Sequence, residues 1–214
     1  MRTYAYIDAS NLFYGGKKSL GWSIDLEKLY EYLRERFGVS QIYYFGGVEI
    51  HKFPFDYLAN NTVSLKDLER YLVEYVEKNK EDLTSAKLIL FDRHLKQVHF
   101  YQKLEKFGYK LILKPVKMYE DEEGNQKRKA NCDVEMTFYL MRDKNAFDRV
   151  IVLSGDGDFL PVLKHLRRVG KKEVLMLARG PRTAREIKRF AGDKFMDFEY
   201  LRERLRRTDM EEDS

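Results

Sequence analysis

The sequence has little cysteine, proline or histidine, and each shortage excludes a class of site or architecture. Its one cysteine, Cys132, can form neither an internal disulfide nor a cysteine-rich metal site. Only four prolines occur, and no proline-, glycine- or serine-rich stretch marks a linker, so we expect a single domain. The four histidines lack the spacing of metal ligands, and we interpret them as structural residues. They are His51, His94, His99 and His165.

Long hydrophobic runs are also missing. No stretch of about 18 apolar residues occurs, so we expect no transmembrane helix and no membrane partner. The opening MRTYAYIDASN lacks the apolar core of a signal peptide and is typical of a strand, which predicts a cytoplasmic protein. Nothing in the sequence supports a homo-oligomer. The 40 Lys and Arg against 35 Asp and Glu give a net charge of +5, which favours a polyanionic partner weakly.

Short apolar runs alternate with segments of helical periodicity along the chain. The predicted strands are 3–7, 41–48, 86–91, 109–116, 149–154, 172–177 and 195–198. The predicted helices are 23–38, 64–79, 96–107, 131–143, 159–169, 182–191 and a last one that ends near 207. Residues 120–129 are expected to form a polar loop or a hairpin tip. The alternation predicts an α/β fold with a mostly parallel sheet and helices on both faces.

The stretch VIVLSGDGDF (150–159) places two aspartates directly after an apolar strand. Asp156 and Asp158 are separated by one glycine, and two carboxylates this close repel each other and resist burial. Two explanations fit: a solvated turn, or a cation between the carboxylates. Functional sites of parallel sheets lie beyond the carboxyl ends of the strands, so the second explanation predicts further acids at that edge.

Two other strand ends carry matching residues. Strand 3–7 is followed by Asp8 and, three residues later, by Asn11. Asp133 begins the helix that comes after strand 109–116 and its polar loop. All these side chains are expected at one edge of the sheet. Four carboxylates in one cleft require a divalent cation, and hard oxygen ligands select Mg²⁺ or Mn²⁺.

Each acid also has a purely structural explanation. Asp8 fits as the cap of the next helix. Asp156 and Asp158 fit as a plain turn before a helix that Asp158 caps. Asp133 fits as an acid that interacts favourably with a helix dipole, and for this residue alone that is the stronger interpretation. None of these explanations accounts for all three groups occurring at the same edge of the sheet, and that coincidence favours a site.

Other acid-dependent or nucleotide-binding sites do not match the pattern. A haloacid-dehalogenase phosphatase needs a second aspartate two residues after the nucleophile, where Ser10 stands. An integrin-type metal site needs serine at the position of Leu12. A nucleophilic Ser154 needs glycine two residues earlier, where Val152 stands. No P-loop occurs, and GDGDF lacks the glycine spacing of a dinucleotide-binding fingerprint.

Three segments resemble the motifs of a known family. They are YIDASNLFY (6–14), RKANCDVEMTFYLMRD (128–143) and VIVLSGDGDFLPVLKHLRRVGKKEVLML (150–177). They are similar to the three motifs of the NYN domain family, in the LabA-like branch of the PIN-like nucleases. The similarity covers residues 3–200. Its most specific part is the Ser-Gly-Asp-Gly-Asp-Phe block after a strand, combined with an early Asp-x-x-Asn.

The resemblance implies a Rossmann-like, PIN-like domain and a metal-dependent ribonuclease activity that leaves a 5′-phosphate and a 3′-hydroxyl. By motif, Asn11 and Ser154 become supporting residues of an acidic, metal-binding cluster. Its members are Asp8, Asp133, Asp156 and Asp158. One departure concerns the loop before the middle acid. The family usually has Lys-Gly-x-Asp there, whereas this chain has Lys129-Ala130-Asn131-Cys132-Asp133, so the loop geometry is expected to differ.

The resemblance also divides the chain. Residues 1–200 are assigned to the nuclease domain, and residues 53–92 within it look like an insertion relative to the compact family core. Residues 201–214 are assigned to the end of a C-terminal helix and an acidic tail.

Basic residues occur near the acidic motifs. Between Lys164 and Arg189 the chain has ten Lys or Arg and two Glu. One predicted basic face on helix 182–191 consists of Arg182, Arg185, Lys188 and Arg189. A second cluster before the middle acid consists of Lys127, Arg128 and Lys129. A solvated face explains each cluster equally well. Beside an acidic metal site, however, basic surface favours a nucleic-acid substrate because backbone phosphates dominate affinity.

Aromatic residues near the predicted site suggest an unpaired strand. The candidates for stacking on unpaired bases are Phe13, Tyr14, Tyr119 and Phe159. At strand ends aromatic residues also serve core packing, which is the alternative for each of them.

The sequence therefore predicts a cytoplasmic, Mg²⁺- or Mn²⁺-dependent endoribonuclease that acts on RNA, with single-stranded RNA favoured. In this hypothesis Asp8 and Asp156 hold the principal metal, while Asp158 and Asp133 hold a second metal or orient the attacking water. The alternative is a nucleic-acid-binding or regulatory module whose acidic site is weak or inactive. The altered loop before Asp133 keeps that alternative open.

Overall fold

The computed structural model describes residues 1–13, 21–120 and 126–207. The strands are β1 (Thr3–Asp8), β2 (Val39–Val48), β3 (Lys110–Pro115), β4 (Lys117–Glu120), β5 (Gln126–Lys129), β6 (Arg149–Leu153), β7 (Glu173–Ala178) and β8 (Phe195–Asp197). The helices are α1 (Ala9–Phe13), α2 (Leu26–Phe37), α3 (Leu65–Lys78), α4 (Ser85–Phe107), α5 (Asp133–Arg142), α6 (Leu160–Arg168), α7 (Arg185–Ala191) and α8 (Arg202–Leu205). Short 3₁₀ turns occur at Gly157–Phe159, Gly180–Arg182, Gly192–Lys194 and Phe198–Leu201.

Six strands form one sheet in the order β3-β2-β1-β6-β7-β8. β1 is parallel to β2 and β6, and β7 is parallel to β6 and β8. The consecutive residues Ala5, Tyr6 and Ile7 of β1 are all fully buried, so both faces of the sheet are covered there. These observations confirm the predicted α/β fold with a mostly parallel sheet.

The strand order changes direction between β1 and β6. The chain builds outward from β1 through β2 to β3, then returns to β6 on the other side of β1 and continues to β7 and β8. The point where the order reverses is the topological switch point, and a crevice opens there beyond the carboxyl ends of the two strands. The fold therefore places the ends of β1 and β6, where the acidic motifs occur, at the usual ligand position of such sheets.

The chain forms two compact units. The first unit comprises Met1–Phe45 and Asp133–Ser214, and the second comprises Gly46–Cys132. In the first unit the fully buried side chains include Tyr6, Leu29, Phe147, Phe159 and Phe198. In the second unit α3 packs against α4 and α4 against β3, with Leu68, Leu72, Leu104 and Leu113 fully buried. The predicted domain limits at 200 and the predicted insertion at 53–92 stay predictions.

Helix ends follow the local signals in the sequence. The Ser64 hydroxyl accepts the backbone N–H of Asp67 and so caps the start of α3. α2 ends at Gly38 and α4 at Gly108, both in the left-handed conformation, with φ of 62° and 103°. β4 pairs with β5, so the segment 120–129 belongs to a hairpin. Residues 121–125 within it lie outside the described residues.

The strand predicted at 86–91 is wrong, because these residues form the first part of α4 (Ser85–Phe107). Thr84 caps the helix through the N–H of Lys87. Within the run Leu88 and Ile89 remain 38% and 63% exposed. The buried residues of α4 recur at helical spacing: Phe91, His94, Val98, Tyr101 and Leu104. A short apolar run is compatible with either a strand or a helix, and here the periodicity after it decides in favour of a helix.

Candidate functional site

Asp8 and Ser154 lie side by side at the switch point. Asp8 is the last residue of β1, and Ser154 follows the last residue of β6. The parallel register pairs Ile7 with Leu153, so the next residues leave the two strands together. The Ser154 hydroxyl donates to Asp8 Oδ2 at 3.0 Å, and the two residues are only 1% and 4% exposed. Two of the sequence motifs therefore meet at one buried hydrogen bond.

The second oxygen of Asp8 orders the start of α1. Asp8 Oδ1 accepts the Ser10 hydroxyl at 2.6 Å and the Asn11 backbone N–H at 3.2 Å, as the capping explanation predicts. The side chain of Asn11 points back to β6, because its Oδ1 accepts the Gly155 N–H at 2.9 Å. Asp8 thus lies at the carboxyl edge of the sheet and also caps α1. Ser10 supports its carboxylate, and the sequence prediction did not include this residue.

Residues 154–158, which we call the acid loop, are held by their own side chains. The Asp156 N–H donates to the Ser154 hydroxyl at 3.2 Å, and Asp156 Oδ1 accepts the Asp158 N–H at 2.9 Å. Asp156 therefore caps the 3₁₀ turn that starts at Gly157. The expectation that Asp158 caps the next helix is wrong, because α6 begins after Phe159 without a side-chain cap. Asp156 is half-buried, and Asp158 is exposed.

Asp133 is the first residue of α5 (Asp133–Arg142), which packs against β1 and against the 3₁₀ turn of the acid loop. At the far end of the helix, the Tyr6 hydroxyl donates to Asp143 Oδ2 at 3.1 Å. Burial, together with the negative charge of Asp143, raises the pKa of Tyr6 well above its usual range, so this phenol remains a neutral donor. These contacts fix the direction of α5 along β1 and bring its first turn towards the acid loop.

The four aspartates do not form a compact ligand set in the described part of the chain. Within residues 1–13, 21–120 and 126–207, no three His, Cys, Asp or Glu side chains are close enough to share a metal ion. The donor chemistry at the edge nevertheless fits Mg²⁺ or Mn²⁺, because it consists of carboxylate, amide and hydroxyl oxygens. The four-aspartate metal site accordingly stays a prediction.

A segment from the end of β7 docks onto the acid loop. The Ala184 N–H donates to the Gly155 carbonyl at 2.9 Å. The Thr183 hydroxyl donates to the Arg179 carbonyl at 2.7 Å, which fixes the turn before this contact. A Cβ atom on Gly155 would lie 2.7 Å from Thr183 Oγ1, so only glycine permits this approach.

Glu186 lies on the same segment and also reaches the acid loop. A Cβ atom on Gly157 would lie 2.5 Å from Glu186 Oε1, so this carboxylate sits against the backbone between Asp156 and Asp158. The sequence prediction missed Thr183 and Glu186. The available signal was the pair of glycines in the acid loop, since such glycines often mark a close approach of another segment.

The basic residues predicted to bind substrate are only partly arranged as expected. α7 begins at Arg185, whereas Arg182 belongs to the preceding 3₁₀ turn. The prediction that one helix over 182–191 carries all four cations on one face is therefore wrong. Extended backbone at Thr183 and Ala184, with ψ of 131° and 139°, interrupts the helix. The four cations on this segment are nevertheless all exposed: Arg182, Arg185, Lys188 and Arg189. α7 itself contacts the 3₁₀ turn of the acid loop.

The other predicted contact residues are the second basic cluster and the aromatic candidates for stacking. Lys127, Arg128 and Lys129 belong to β5, and their side chains lie outside the described residues. Phe159 is 1% exposed, so the prediction that it stacks on bases is wrong and the residue belongs to the core. Tyr14 and the side chains of Phe13 and Tyr119 lie outside the described residues.

Comparison with known proteins assigns the family. The NYN domain family matches residues 63–199, and the chain belongs to that family. The chain is also 22% identical to low amplitude and bright protein LabA of Synechococcus elongatus over 215 residues, which are 99% of this chain and 91% of that protein. This full-length match supports a place in the LabA-like branch, as the sequence motifs predict.

A solved structure has the same fold. The crystal structure of a protein of unknown function from Vibrio parahaemolyticus superimposes with a TM-score of 0.59 at 17% identity. The match covers 92% of this chain and 91% of that chain. The NYN family is related to the PIN-like nucleases, which indicates a nuclease role. None of the helices in the described ranges has the length and apolar character needed to span a bilayer.

Proposed function

We propose that this protein is a divalent-metal-dependent ribonuclease that acts on single-stranded RNA. The observation that carries the proposal is the buried hydrogen bond between Ser154 and Asp8, which joins two acidic motifs at the switch point of the sheet. NYN nucleases act on RNA, and this supports the substrate class. Mg²⁺ or Mn²⁺ is the cation that fits the oxygen donors at this edge.

The acids have different tasks in the proposed reaction. The carboxylate of Asp8 is held by Ser10, Asn11 and Ser154, so it is a rigid charge at the base of the site. Asp156 and Asp158 lie higher on the acid loop and are more accessible. We assign all of these acids, with Asp133 at the start of α5, as the residues that would hold the cation. When bound, the cation supplies Lewis-acid stabilisation of charge on the phosphate and favours deprotonation of water.

The reaction itself is hydrolysis of a phosphodiester. A water oxygen bonds to phosphorus in line with the bond to the 3′-oxygen, and that bond breaks. Asp158, the exposed acid of the loop, orients the water and accepts a proton from it, while the departing 3′-oxygen takes a proton from solvent. The products are a 5′-phosphate and a 3′-hydroxyl.

Substrate phosphates are assigned to the basic segment that docks on the acid loop. The backbone bond from Ala184 to Gly155 keeps this segment next to the acids. Its exposed cations are Arg182, Arg185, Lys188 and Arg189. Lys127, Arg128 and Lys129 are proposed as further phosphate contacts on grounds of sequence.

A second function has one observation in its favour. The Asp8 carboxylate is already satisfied by three hydrogen-bond donors, and no three acids converge among the described residues. An RNA-binding or regulatory module with a weak acidic site fits this arrangement. Such a module predicts RNA binding without cleavage.

The deciding experiment is a ribonuclease assay on single-stranded RNA. Activity should disappear in EDTA and return with Mn²⁺ or Mg²⁺, whereas Ca²⁺ should restore it poorly because its looser coordination does not hold an in-line geometry. Asp8→Asn should lose activity by about a hundredfold or more, as expected when a ligand of the cation that stabilises the transition state is weakened. Asp67→Asn, at an acid of α3 that pairs with Arg70, is the matched control and should keep full activity.

Two results would contradict the proposal. Undiminished cleavage in EDTA would exclude the metal mechanism and would indicate general acid–base catalysis instead. RNA binding without cleavage in any of the three metals would assign the protein to the binding module instead.

A further inference from the structure

An ordered loop in the second unit holds two apolar side chains in solvent. Within residues 53–63, Asp56 Oδ1 accepts the backbone N–H groups of Leu58 at 2.8 Å and Ala59 at 3.2 Å. The turn fixed in this way leaves Leu58 fully exposed and Tyr57 52% exposed. These two exposed side chains are adjacent in the chain, and contiguous exposed apolar surface is a mark of interaction sites.

The same loop is attached beside a basic hairpin. Thr62 Oγ1 accepts the Leu113 N–H at 2.8 Å, and the Val63 N–H donates to the Leu113 carbonyl at 2.9 Å, so the loop lies along β3. β3 ends at Pro115, and β4 starts at Lys117. The Lys117 ammonium sits over the Tyr57 ring, 5.1 Å from its centroid. A cation and an exposed aromatic ring are thereby held together.

Lys117 supplies the positive charge at this loop. In the backbone register, Lys117 of β4 is paired with Lys129 of β5, so the sequence places a second basic residue at the same level of the hairpin. Lys117 itself is exposed, and its ammonium group lies beside the Tyr57 ring. Phosphate is an anion that such a group can bind.

We infer that Tyr57, Leu58 and Lys117 form a second RNA-binding surface, which we call the Tyr57 surface. An unpaired base stacks on the Tyr57 ring beside Leu58, and Lys117 binds an adjoining phosphate. All three residues belong to the second unit, residues 46–132. The inference rests on RNA being the partner, as proposed above, but it does not require cleavage.

The charge pattern favours a nucleic acid over a protein at this surface. A protein partner would have to supply acidic side chains at the hairpin and an apolar pocket for Tyr57 and Leu58. Each nucleotide of single-stranded RNA supplies a phosphate for the cation and a base whose π face can stack on the Tyr57 ring. Accordingly, the binding should be tolerant of sequence and should weaken with salt.

The test measures the binding of a fluorescein-labelled single-stranded RNA to the full chain in EDTA, by fluorescence anisotropy. Tyr57→Ala should weaken binding by about five- to tenfold or more, because one stacked base is lost. Lys117→Gln should reduce the log–log salt slope by about 0.7, because one phosphate contact is lost. All replaced residues are exposed, and thermal melting verifies that the variants fold.

Matched controls come from other exposed positions. Tyr200→Ala removes a tyrosine that is 89% exposed, and Lys66→Gln removes a lysine exposed on α3. Both should leave the affinity and the salt slope unchanged. The inference would be overturned if the control variants lost as much RNA affinity as the Tyr57 and Lys117 variants. It would also be overturned if the Tyr57 and Lys117 variants bound RNA as tightly as the wild type. A dimer in sedimentation that Tyr57→Ala disperses, with RNA affinity unaltered, would assign the surface to self-association and overturn it too.

Hydrolysis of bis-nitrophenyl phosphate separates this inference from the proposed nuclease function. The ester lacks the bases and the phosphate chain that the Tyr57 surface is proposed to bind, so Tyr57→Ala should hydrolyse it at the wild-type rate with Mn²⁺. If the wild-type protein hydrolyses neither the ester nor RNA but Tyr57→Ala still loses RNA affinity, the Tyr57 surface stands and the nuclease function fails.

Discussion

Asp156 combines a structural and a proposed chemical role in one carboxylate. Its Oδ1 accepts the N–H of Asp158 and thereby caps the 3₁₀ turn of the acid loop. The same carboxylate is one of those proposed to hold the cation. Its neighbour Asp158 carries the same charge two residues away, and Glu186 adds a third carboxylate against Gly157.

Substitution of Asp156 can separate these two roles. Asp156→Asn keeps an oxygen acceptor for the Asp158 N–H, since asparagine and aspartate are equally good caps. We expect ribonuclease activity to be lost, cooperative unfolding to be kept, and the melting temperature in metal-free buffer to be equal or higher because carboxylate repulsion is relieved. Asp156→Ala removes the acceptor as well, and should cost about 1 kcal/mol of unfolding free energy.

Denaturant unfolding and the RNA assay provide the measurements for this pair of variants. Full activity of Asp156→Asn would show that its charge is not needed for the reaction. Loss of cooperative unfolding in the same variant would make Asp156 a purely structural residue.

At the scale of elements, the acid loop and the segment before α7 act as one piece. Ala184 bonds to Gly155, Thr183 packs on the same glycine, and Glu186 reaches Gly157. The cations assigned to the substrate are exposed on this segment, while its Ile187 and Ala191 are buried. A substrate bound to these cations is therefore positioned relative to the acid loop, because the backbone hydrogen bond between Ala184 and Gly155 joins the two segments.

The two glycines of the acid loop should respond differently to substitution. In Gly155→Ala the new Cβ would lie 2.9 Å from the Thr183 Cα, and backbone can move away only by breaking the Ala184 hydrogen bond. We expect a loss of roughly 1–3 kcal/mol in unfolding free energy, with lower ribonuclease activity. In Gly157→Ala the nearest atom is the end of the flexible, exposed Glu186, so the loss should be well below 1 kcal/mol.

Urea unfolding of the two variants checks this difference. Gly157→Ala is the matched control, since it adds the same methyl group two residues away. Equal stability of Gly155→Ala and Gly157→Ala would mean that the segment docks less tightly on the acid loop than the contacts indicate.

For the whole molecule, the small excess of positive charge matters less than its distribution. The net charge is only +5 among 75 charged side chains, formed by 40 basic and 35 acidic residues. A weak overall field steers a polyanion little, so affinity for RNA must come from local groups of cations. The cations at 182–189 and those of the β4–β5 hairpin are such groups, and each lies in a different compact unit.

Removing the first group should change RNA binding without changing the chemistry. In the triple variant Arg182→Ala, Arg185→Ala and Lys188→Ala, we expect weaker binding to all single-stranded RNA sequences. The log–log salt slope should fall by about 0.7 for each lost phosphate contact, or about 2 in all. The rate of bis-nitrophenyl phosphate hydrolysis should remain near that of the wild type, because the acids are untouched.

The control for this experiment removes the same charge elsewhere. Lys66, Lys80 and Lys106 are exposed on or next to α3 and α4, and their triple alanine variant lowers the net charge equally. If both triple variants weaken binding to the same extent, net charge rather than the basic segment determines affinity. An unaltered salt slope in the first variant would show that its cations are ordinary solvated surface.

Much of the fold was predictable because the information is local. The strand that ends at Asp8, the helix that Ser64 caps and the helix that Gly38 ends are each specified by a few neighbouring residues. Apolar periodicity and cap preferences act over one or two turns of chain, so a single sequence reveals them. The same locality explains the error at 86–91, since six apolar-rich residues do not specify which periodicity they belong to.

The sequence by itself determined the six strands of the main sheet, the order of the motifs and the types of donor at the sheet edge. Only the tertiary structure decided which donors meet: Ser154 bonds to Asp8 across 146 residues of chain, and Glu186 approaches Gly157 from a separate segment. It also decided that Asp156 rather than Asp158 caps a turn and that Arg182 lies outside α7. The reason is that pairing between distant segments depends on sheet register and on the space that glycines leave, and neither quantity is written in the residues near each acid.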